Sequence, residues 1–159
     1  MRRHTYLGLA GALAGIAAVG FWPSSRGADY VAALRPRLER GEIAAAIDRA
    51  LALFGRPYDF NFNFATDDAI VCSELVIKAY EPTEPGKGLR VPWVTVAGRR
   101  AVPPTELVRL FASERTQADS QLEFVYFLDG REATKNAVVS DADGLARSVD
   151  RPKWDVAQP

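Results

Sequence analysis

The sequence predicts a single α+β domain, and three stretches support that prediction. Apolar residues recur at helical spacing over residues 39–54, which predicts an amphipathic helix. An almost continuous apolar run over residues 122–128 predicts a strand that is central in a sheet and buried on both faces. Between them, an apolar run that begins near Cys72, the one cysteine of the chain, predicts a second helix. Helices and strands are therefore expected to share one core.

Length and composition restrict the class of protein. With 159 residues, of which 48% are hydrophobic and 25% charged, the chain is long enough to bury one core. Its 20 basic and 20 acidic residues cancel, so no overall charge attracts nucleic acid or an anionic membrane. One cysteine excludes an intramolecular disulfide, and with one histidine a metal site built from protein side chains is not expected. The sequence predicts no cofactor and no nucleic-acid partner.

The N-terminal segment, residues 1–28, has the pattern of an export signal or membrane anchor. A basic start precedes an uncharged apolar run over residues 6–22. This run is short for a transmembrane helix. The folded domain is then expected over residues 29–159.

The elements before Cys72 are predicted from their turn and capping residues. A short strand is expected over residues 30–35, because Pro36 ends it. Gly55 is predicted as the C-cap of the helix at residues 39–54. Alternating Asn and Phe over residues 60–64 predict a half-buried extended segment.

Cys72 lies in the first turn of its predicted helix. Asp67 and Asp68 come shortly before it and are predicted to cap the first exposed amides. Those amides and the positive end of the helix dipole favour the thiolate, which is the nucleophilic form of cysteine. The placement therefore favours covalent catalysis. The alternative is structural, since a lone cysteine often serves as a small buried apolar residue.

The chain after this helix continues with mixed elements. Residues 81–88 are rich in Pro and Gly and predict a turn region. The remaining predictions are a strand over residues 91–97, a helix over residues 103–115, a turn at Asp129 and Gly130 that ends the strand at residues 122–128, and a helix over residues 141–149 capped by Ser140.

The stretch over residues 55–80 reads GRPYDFNFNFATDDAIVCSELVIKAY. With GRPYDF at one end and CSELV towards the other, it resembles the permuted papain-like cysteine hydrolases, the YiiX-like branch of the NlpC-like amidases. Lecithin:retinol acyltransferases are more distant relatives of this family. The resemblance implies a circularly permuted papain-like fold with a mainly antiparallel sheet and the nucleophile at a helix N-terminus.

The resemblance also implies roles for individual residues. Cys72 is the implied nucleophile. The implied substrate and oxyanion pocket consists of the turn with Tyr58 and Asp59, which packs beside the cysteine, together with Ser73 and Glu74, which follow it. Position alone suggests that Asp59 forms the turn, and that Glu74 points away from the thiol and binds a backbone amide or an arginine. The first amides of the helix, those of Cys72 and Ser73, are available for an oxyanion.

His4 is the only histidine and therefore the only imidazole available to Cys72. In the permuted family the catalytic histidine precedes the cysteine on a strand, and residues 4–8 have that pattern, with residues 16–20 as the returning strand. On this interpretation the N-terminal segment forms the first strands of a truncated domain, and it is not a signal or anchor. The family places a Glu on the returning strand where this chain has alanines, which leaves the third catalytic residue unassigned.

The predicted activity is that of a thiol hydrolase, a cysteine amidase or peptidase or an acyl-ester hydrolase, acting through an acyl-thioester. The predicted substrate is a small-molecule, peptide or lipid acyl compound. Cell-wall peptides and lipid esters both remain open. The alternative is a catalytically inactive or truncated papain-like binding module, with or without a membrane anchor. The expected location depends on residues 1–22. If they are a signal or anchor, the protein is expected in the cell envelope or periplasm, with membrane association through residues 6–22. If they are not, it is expected in the cytoplasm.

Overall fold

The computed structural model describes residues 17–20, 30–83, 88–131 and 136–151. These residues contain helices and an antiparallel sheet, which confirms the predicted α+β class. The elements in chain order are β1 (Ala17–Gly20), β2 (Tyr30–Pro36), α1 (Arg40–Ala52), α2 (Cys72–Ala79), β3 (Val94–Val96), β4 (Arg99–Ala101), α3 (Pro104–Glu114), β5 (Leu122–Arg131), β6 (Asn136–Ser140) and α4 (Ala142–Ser148).

The main sheet has the strand order β1-β2-β5-β6, and each neighbouring pair is antiparallel. Strand β5 is central, as predicted, but the prediction that it is buried on both faces is wrong. Phe127 is fully buried, whereas Val125 and Tyr126 are 37% and 40% exposed. One face of an antiparallel sheet commonly meets water. Two consecutive residues are exposed because the register shifts opposite Ala33 and Leu34, which leaves Val125 as the extra residue of a bulge.

The predicted turn at Asp129 and Gly130 is also wrong. Strand β5 continues through both residues to Arg131, and Gly130 pairs with Ala137 of β6, a strand that the sequence did not predict. The Asp129 side chain accepts hydrogen bonds from both terminal nitrogens of Arg151, at 2.7 and 3.0 Å. Its carboxylate therefore serves an ion pair within a strand and not a turn.

The predicted helices are confirmed, with shifted ends. Helix α1 ends at Ala52 with Leu53 as the C-cap, and Gly55 follows in the turn with a φ of +86°. Helix α4 is capped by Asp141, whose Oδ1 accepts the amide of Gly144 at 2.7 Å. The prediction of Ser140 as this cap is wrong because Ser140 is the last residue of β6.

The strand predicted over residues 91–97 is a hairpin of β3 and β4. Val96 pairs with Arg99, so that Ala97 and Gly98 form a two-residue turn. Both turn residues have positive φ, +50° and +78°, as in a type I′ turn.

The core lies where the helices pack against the sheet and against each other. Helix α1 packs against α2, and α3 packs against α4 and β5. The fully or nearly fully buried residues include Leu34, Ala46, Val102, Leu107, Phe111, Leu122, Phe127 and Leu145. Helix α2, which begins with Cys72, therefore packs against α1.

Part of the N-terminal segment belongs to the sheet. Residues 17–20 form β1, which pairs with β2 along its whole length. His4 and the other residues before Ala17 lie outside the described part of the chain. Within the described ranges, no helix combines the length and apolar composition needed to span a bilayer.

Candidate active site

Cys72 is the first residue of α2, and Val71 is the N-cap. The cysteine is exposed, whereas Ser73 and Glu74 beside it are buried. The first intrahelical hydrogen bond runs from Leu75 N to Val71 O at 2.9 Å. The amides of Cys72 and Ser73 come before this bond and therefore do not donate within the helix, as is usual for the first amides of a helix. An exposed thiol stands at the positive end of a helix dipole.

Glu74 stabilises the first turn from inside the protein. Its carboxylate has no exposed surface, and Oε2 accepts the amide of Val71 at 3.2 Å. Oε1 lies 3.1 Å from Lys78 Nζ, in an ion pair whose geometry falls short of an aligned hydrogen bond. Glu74 thus binds a backbone amide, as its position in the sequence suggested. The positively charged side chain that it pairs with is a lysine and not an arginine.

Lys78 connects α2 to the preceding loop. Its Nζ donates to Thr66 O at 3.2 Å and to the Asp67 carboxylate, and it contacts Glu74. Burial alone lowers the pKa of Lys78, but its hydrogen bond to Asp67 and its ion pair with Glu74 outweigh that effect and raise the pKa above 10.5. The ammonium therefore stays charged and neutralises the buried carboxylate.

The predicted capping of α2 by Asp67 and Asp68 is wrong. Asp67 is bound to Lys78, and the residue next to the helix is Val71. The backbone of Ile70 is bonded to a different segment, which keeps the two aspartates away from the helix terminus. Glu74 satisfies the N-cap amide from within the helix, as in the carboxylate half of a capping box.

The turn that contains Tyr58 lies beside the residues that precede Cys72. Tyr58 and Ile70 form a parallel bridge, in which Ile70 N donates to Pro57 O at 2.9 Å and Asp59 N donates to Ile70 O at 3.3 Å. The bridge closes a loop over residues 58–70. Tyr58 therefore lies beside Ile70, which precedes Cys72 by two residues.

Asp59 forms the turn, as its position suggested. Its carboxylate is buried and accepts the amide of Asn61 at 2.8 Å and that of Asn63. The extended conformation predicted for residues 60–64 is wrong, because the backbone winds around this carboxylate. Phe62 has a φ of +52°, which no extended residue has.

An apolar cavity of about 560 Å³ opens beside the helix start. Its walls are the loop over residues 60–64, the β3–β4 hairpin and the beginning of α3, and α2 contributes Ser73. The lining residues are Phe60, Asn61, Phe62, Phe64, Ser73, Val96, Ala97, Arg99, Ala101, Val102, Pro103 and Pro104. Most of these side chains are apolar, so the cavity favours an apolar group.

A second hollow, of about 610 Å³, is polar. It shares Asn61 and Arg99 with the apolar cavity, and Arg99 donates to the carbonyl of Asn61 between them. Its other lining residues are Asp59, Asn63, Thr66, Asp68 and Ala69. In the described ranges, no group of three or more His, Cys, Asp or Glu side chains could hold a metal ion.

The structure thus brings together the predicted site residues of two segments. Tyr58 and Asp59 lie next to the segment that carries Cys72, Ser73 and Glu74. His4, the sixth predicted site residue, is outside the described residues.

Sequence reasoning missed Lys78 and Arg99 as parts of this region. The four-residue spacing of Glu74 and Lys78 is a helical pairing signal and could have identified the first. Arg99 had no such signal, because its contact with Asn61 spans 38 residues.

The comparisons with known proteins identify the family of the chain. A family model described as permuted papain-like amidase enzyme, YaeF/YiiX, C92 family, matches residues 22–126, which are 105 of the 159 residues. No curated protein and no solved structure matches the chain. The matched range contains the Tyr58 turn, the Cys72 helix and the β3–β4 hairpin. The chain belongs to the permuted papain-like amidase family of the YaeF/YiiX type, as its sequence between residues 55 and 80 implied.

Proposed function

We propose that this chain is a thiol hydrolase that cleaves amides or esters with Cys72 as the nucleophile. One observation carries the proposal: the exposed thiol stands at the first position of α2, and the next residue, Ser73, lines the apolar cavity. Membership in an amidase family supports hydrolysis as the class of reaction.

The chemistry follows from the groups at the helix start. The Cys72 thiolate attacks the carbonyl carbon and forms a C–S bond, while the oxyanion meets the amides of Cys72 and Ser73. The intermediate collapses as the C–N or C–O bond breaks, and the leaving group takes a proton from the general acid, for which we propose His4. Water then attacks the thioester, gives a proton to the same imidazole, and releases the acid and the thiolate.

The cavity favours a substrate with an apolar acyl or side-chain group. Its volume of about 560 Å³ lies within the range of sites that hold small molecules. Buried Ala101 and Val102 form part of the wall, so an apolar group bound there leaves water. We propose that this group lies on the acyl side of the scissile bond.

Acyl-enzyme trapping tests the proposal. The protein is incubated with p-nitrophenyl acetate or p-nitrophenyl octanoate, and the intact mass is followed with time. We expect an acyl adduct on Cys72 that is absent in Cys72→Ala. Octanoate should react about tenfold faster or more, because its additional methylenes leave water in the cavity.

A substitution in the cavity wall tests the role of the cavity independently of that of the nucleophile. Ala101→Leu should remove the preference for octanoate and leave the acetate rate within about twofold, while Ala45→Leu on the exposed face of α1 should change neither rate. Thermal melting checks that both variants fold. Absence of any adduct on Cys72 would favour the binding-module alternative. An octanoate preference that survives Ala101→Leu would contradict the assignment of the cavity.

A further inference from the structure

Large apolar side chains are exposed around the mouth of the apolar cavity. We call this surface the aromatic rim and define it as Tyr58, Phe60, Phe62, Trp93 and Val96. Phe60 is 82% exposed, and the other four are between 42% and 52% exposed. Single exposed apolar residues are common, but a contiguous group of this size marks an interaction site.

The rim is contiguous. The ring of Tyr58 lies edge-on to those of Phe60 and Phe62, with centroid distances of 4.9 and 6.4 Å. Phe60, Phe62 and Val96 line one cavity. Trp93 contacts this group through Phe64, which lines the same cavity. The centroids of the Trp93 and Phe64 rings lie 5.8 Å apart.

The backbone that presents the rim is strained. Phe62 and Ala97 have φ values of +52° and +50°, and they are the two non-glycine residues with positive φ in the described ranges. Each conformation costs about 1–3 kcal/mol, and such strain is commonly found at functional surfaces. Both residues line the cavity mouth, one on the loop after Asp59 and one at the tip of the β3–β4 hairpin.

Two arginines flank the rim. Arg99 and Arg100 are exposed on β4. Arg99 donates to the carbonyl of Asn61, and the Arg100 guanidinium lies 5.0 Å from the centre of the Trp93 ring. Both arginines are exposed and place positive charge beside the rim.

The neighbouring acids lie outside the apolar cavity. Asp67 is bound to Lys78. Asp59 and Asp68 line the polar hollow, which Arg99 also lines. Arg100 does not line that hollow and lies against Trp93.

We propose that the aromatic rim, together with Arg99 and Arg100, docks this protein onto an anionic lipid surface. The aromatic side chains of the loop, Phe60 and Phe62, and Val96 beside the two-residue hairpin turn can enter the headgroup region without any rearrangement of the core. The arginines beside them complement lipid phosphates and the negative surface potential. A bilayer fits projecting side chains better than a protein groove does, since Phe60 is 82% exposed. Docking turns the cavity mouth towards the membrane and is independent of whether Cys72 reacts.

Vesicle flotation with the full chain tests the docking. The vesicles are made of phosphatidylcholine alone or with about a third of phosphatidylglycerol, at low and at high salt. We expect binding to the anionic vesicles that weakens at high salt. Phe60→Ser/Phe62→Ser should reduce partitioning about tenfold or more, and Arg99→Gln/Arg100→Gln should reduce it about tenfold.

Matched controls come from exposed residues elsewhere. Val139→Ser, at a position 69% exposed on β6, controls for loss of exposed apolar surface. Arg37→Gln/Arg147→Gln controls for loss of two exposed positive charges. Both should bind vesicles as the wild type does, and circular dichroism and melting verify the fold of all variants.

Three results would overturn the proposal. The first is no binding to either kind of vesicle, which would leave the rim to a protein partner. The second is binding that both rim variants retain, because the lipid contact would then lie elsewhere, as in the apolar residues 6–22. The third is an equal loss in the rim variants and their controls.

Discussion

Glu74 and Lys78 form an ion pair one helical turn apart on the helix that begins with Cys72, with 3.1 Å between Oε1 and Nζ. The glutamate side chain has no exposed surface and that of the lysine is 21% exposed. Glu74 also holds the amide of Val71, and Lys78 also holds Asp67. One ammonium group thus neutralises the buried Glu74 carboxylate and joins the preceding loop to the helix.

Lys78→Met should lower the free energy of unfolding by about 1–3 kcal/mol, because it leaves the Glu74 carboxylate buried without a countercharge. The double variant Glu74→Gln/Lys78→Met should recover much of this loss. Urea denaturation at neutral pH measures both. Arg147→Met, at an exposed position on α4, is the control and should change stability by no more than about 0.5 kcal/mol. A Lys78→Met loss no larger than that of the control would contradict the role of the pair.

Tyr80→Phe should leave stability at neutral pH unchanged or slightly higher and should reduce the loss of stability in alkali. The Tyr80 hydroxyl has no hydrogen-bond partner within the described part of the chain, and burial raises its pKa above the usual 10.0. A group whose pKa is higher in the folded chain stabilises it fully below the unfolded pKa, and this contribution is lost as the pH rises through the folded pKa. Denaturation at about pH 7 and about pH 11 measures the difference.

The control for this variant is Tyr126→Phe, because Tyr126 is 40% exposed. It should leave the alkaline loss as it is in the wild type. A Tyr80→Phe protein that is less stable by more than about 1 kcal/mol at neutral pH would indicate a hydrogen bond at this hydroxyl.

Ala97→Asn should raise the free energy of unfolding by about 0.5–1 kcal/mol. The hairpin turn needs positive φ at both of its residues, and Asn-Gly suits this turn type better than the present Ala97-Gly98. Ala97→Val is the opposed variant and should destabilise the protein, since a β-branched residue tolerates positive φ poorly. Equal stability of the two variants would contradict the observed turn.

Asp59→Ala should destabilise the protein by about 1–3 kcal/mol, because the amides of Asn61 and Asn63 lose a buried acceptor. Asp59→Asn keeps one acceptor oxygen and should fall between this variant and the wild type. Denaturation measures stability, and the rate of acylation of Cys72 shows whether the loop affects the site. Asp68→Ala, exposed on the same loop, is the control. Equal losses in Asp59→Ala and Asp68→Ala would show that the carboxylate of Asp59 does not organise the loop.

The sequence predicted those parts of the fold that depend on local periodicity. The start of α2 near Cys72 and the central strand at Leu122 could be recognised because apolar spacing and its interruptions are local. The capping of α2 was predicted wrongly because it depends on Val71 and Glu74 and not on the usual capping residues.

Contacts between distant residues explain the other errors. Asp129 is followed by Gly130, a pattern typical of a turn. Its side chain instead binds Arg151, which is 22 residues away in the sequence. Likewise, the segments that carry Arg99 and Pro104 meet the Phe60 loop only in the folded chain. The helix that begins at Cys72 was therefore predictable, whereas the cavity beside it was not.

The pH dependence of Cys72 alkylation tests whether Cys72 and His4 form a catalytic pair. Cys72 is the only cysteine, so iodoacetamide labelling followed by mass spectrometry reports on it alone. We expect Cys72 to be alkylated faster than a free thiol at neutral pH, and this advantage to shrink in His4→Ala. A profile equal to that of free cysteine, or one that His4→Ala leaves unchanged, would contradict a catalytic pair of Cys72 and His4.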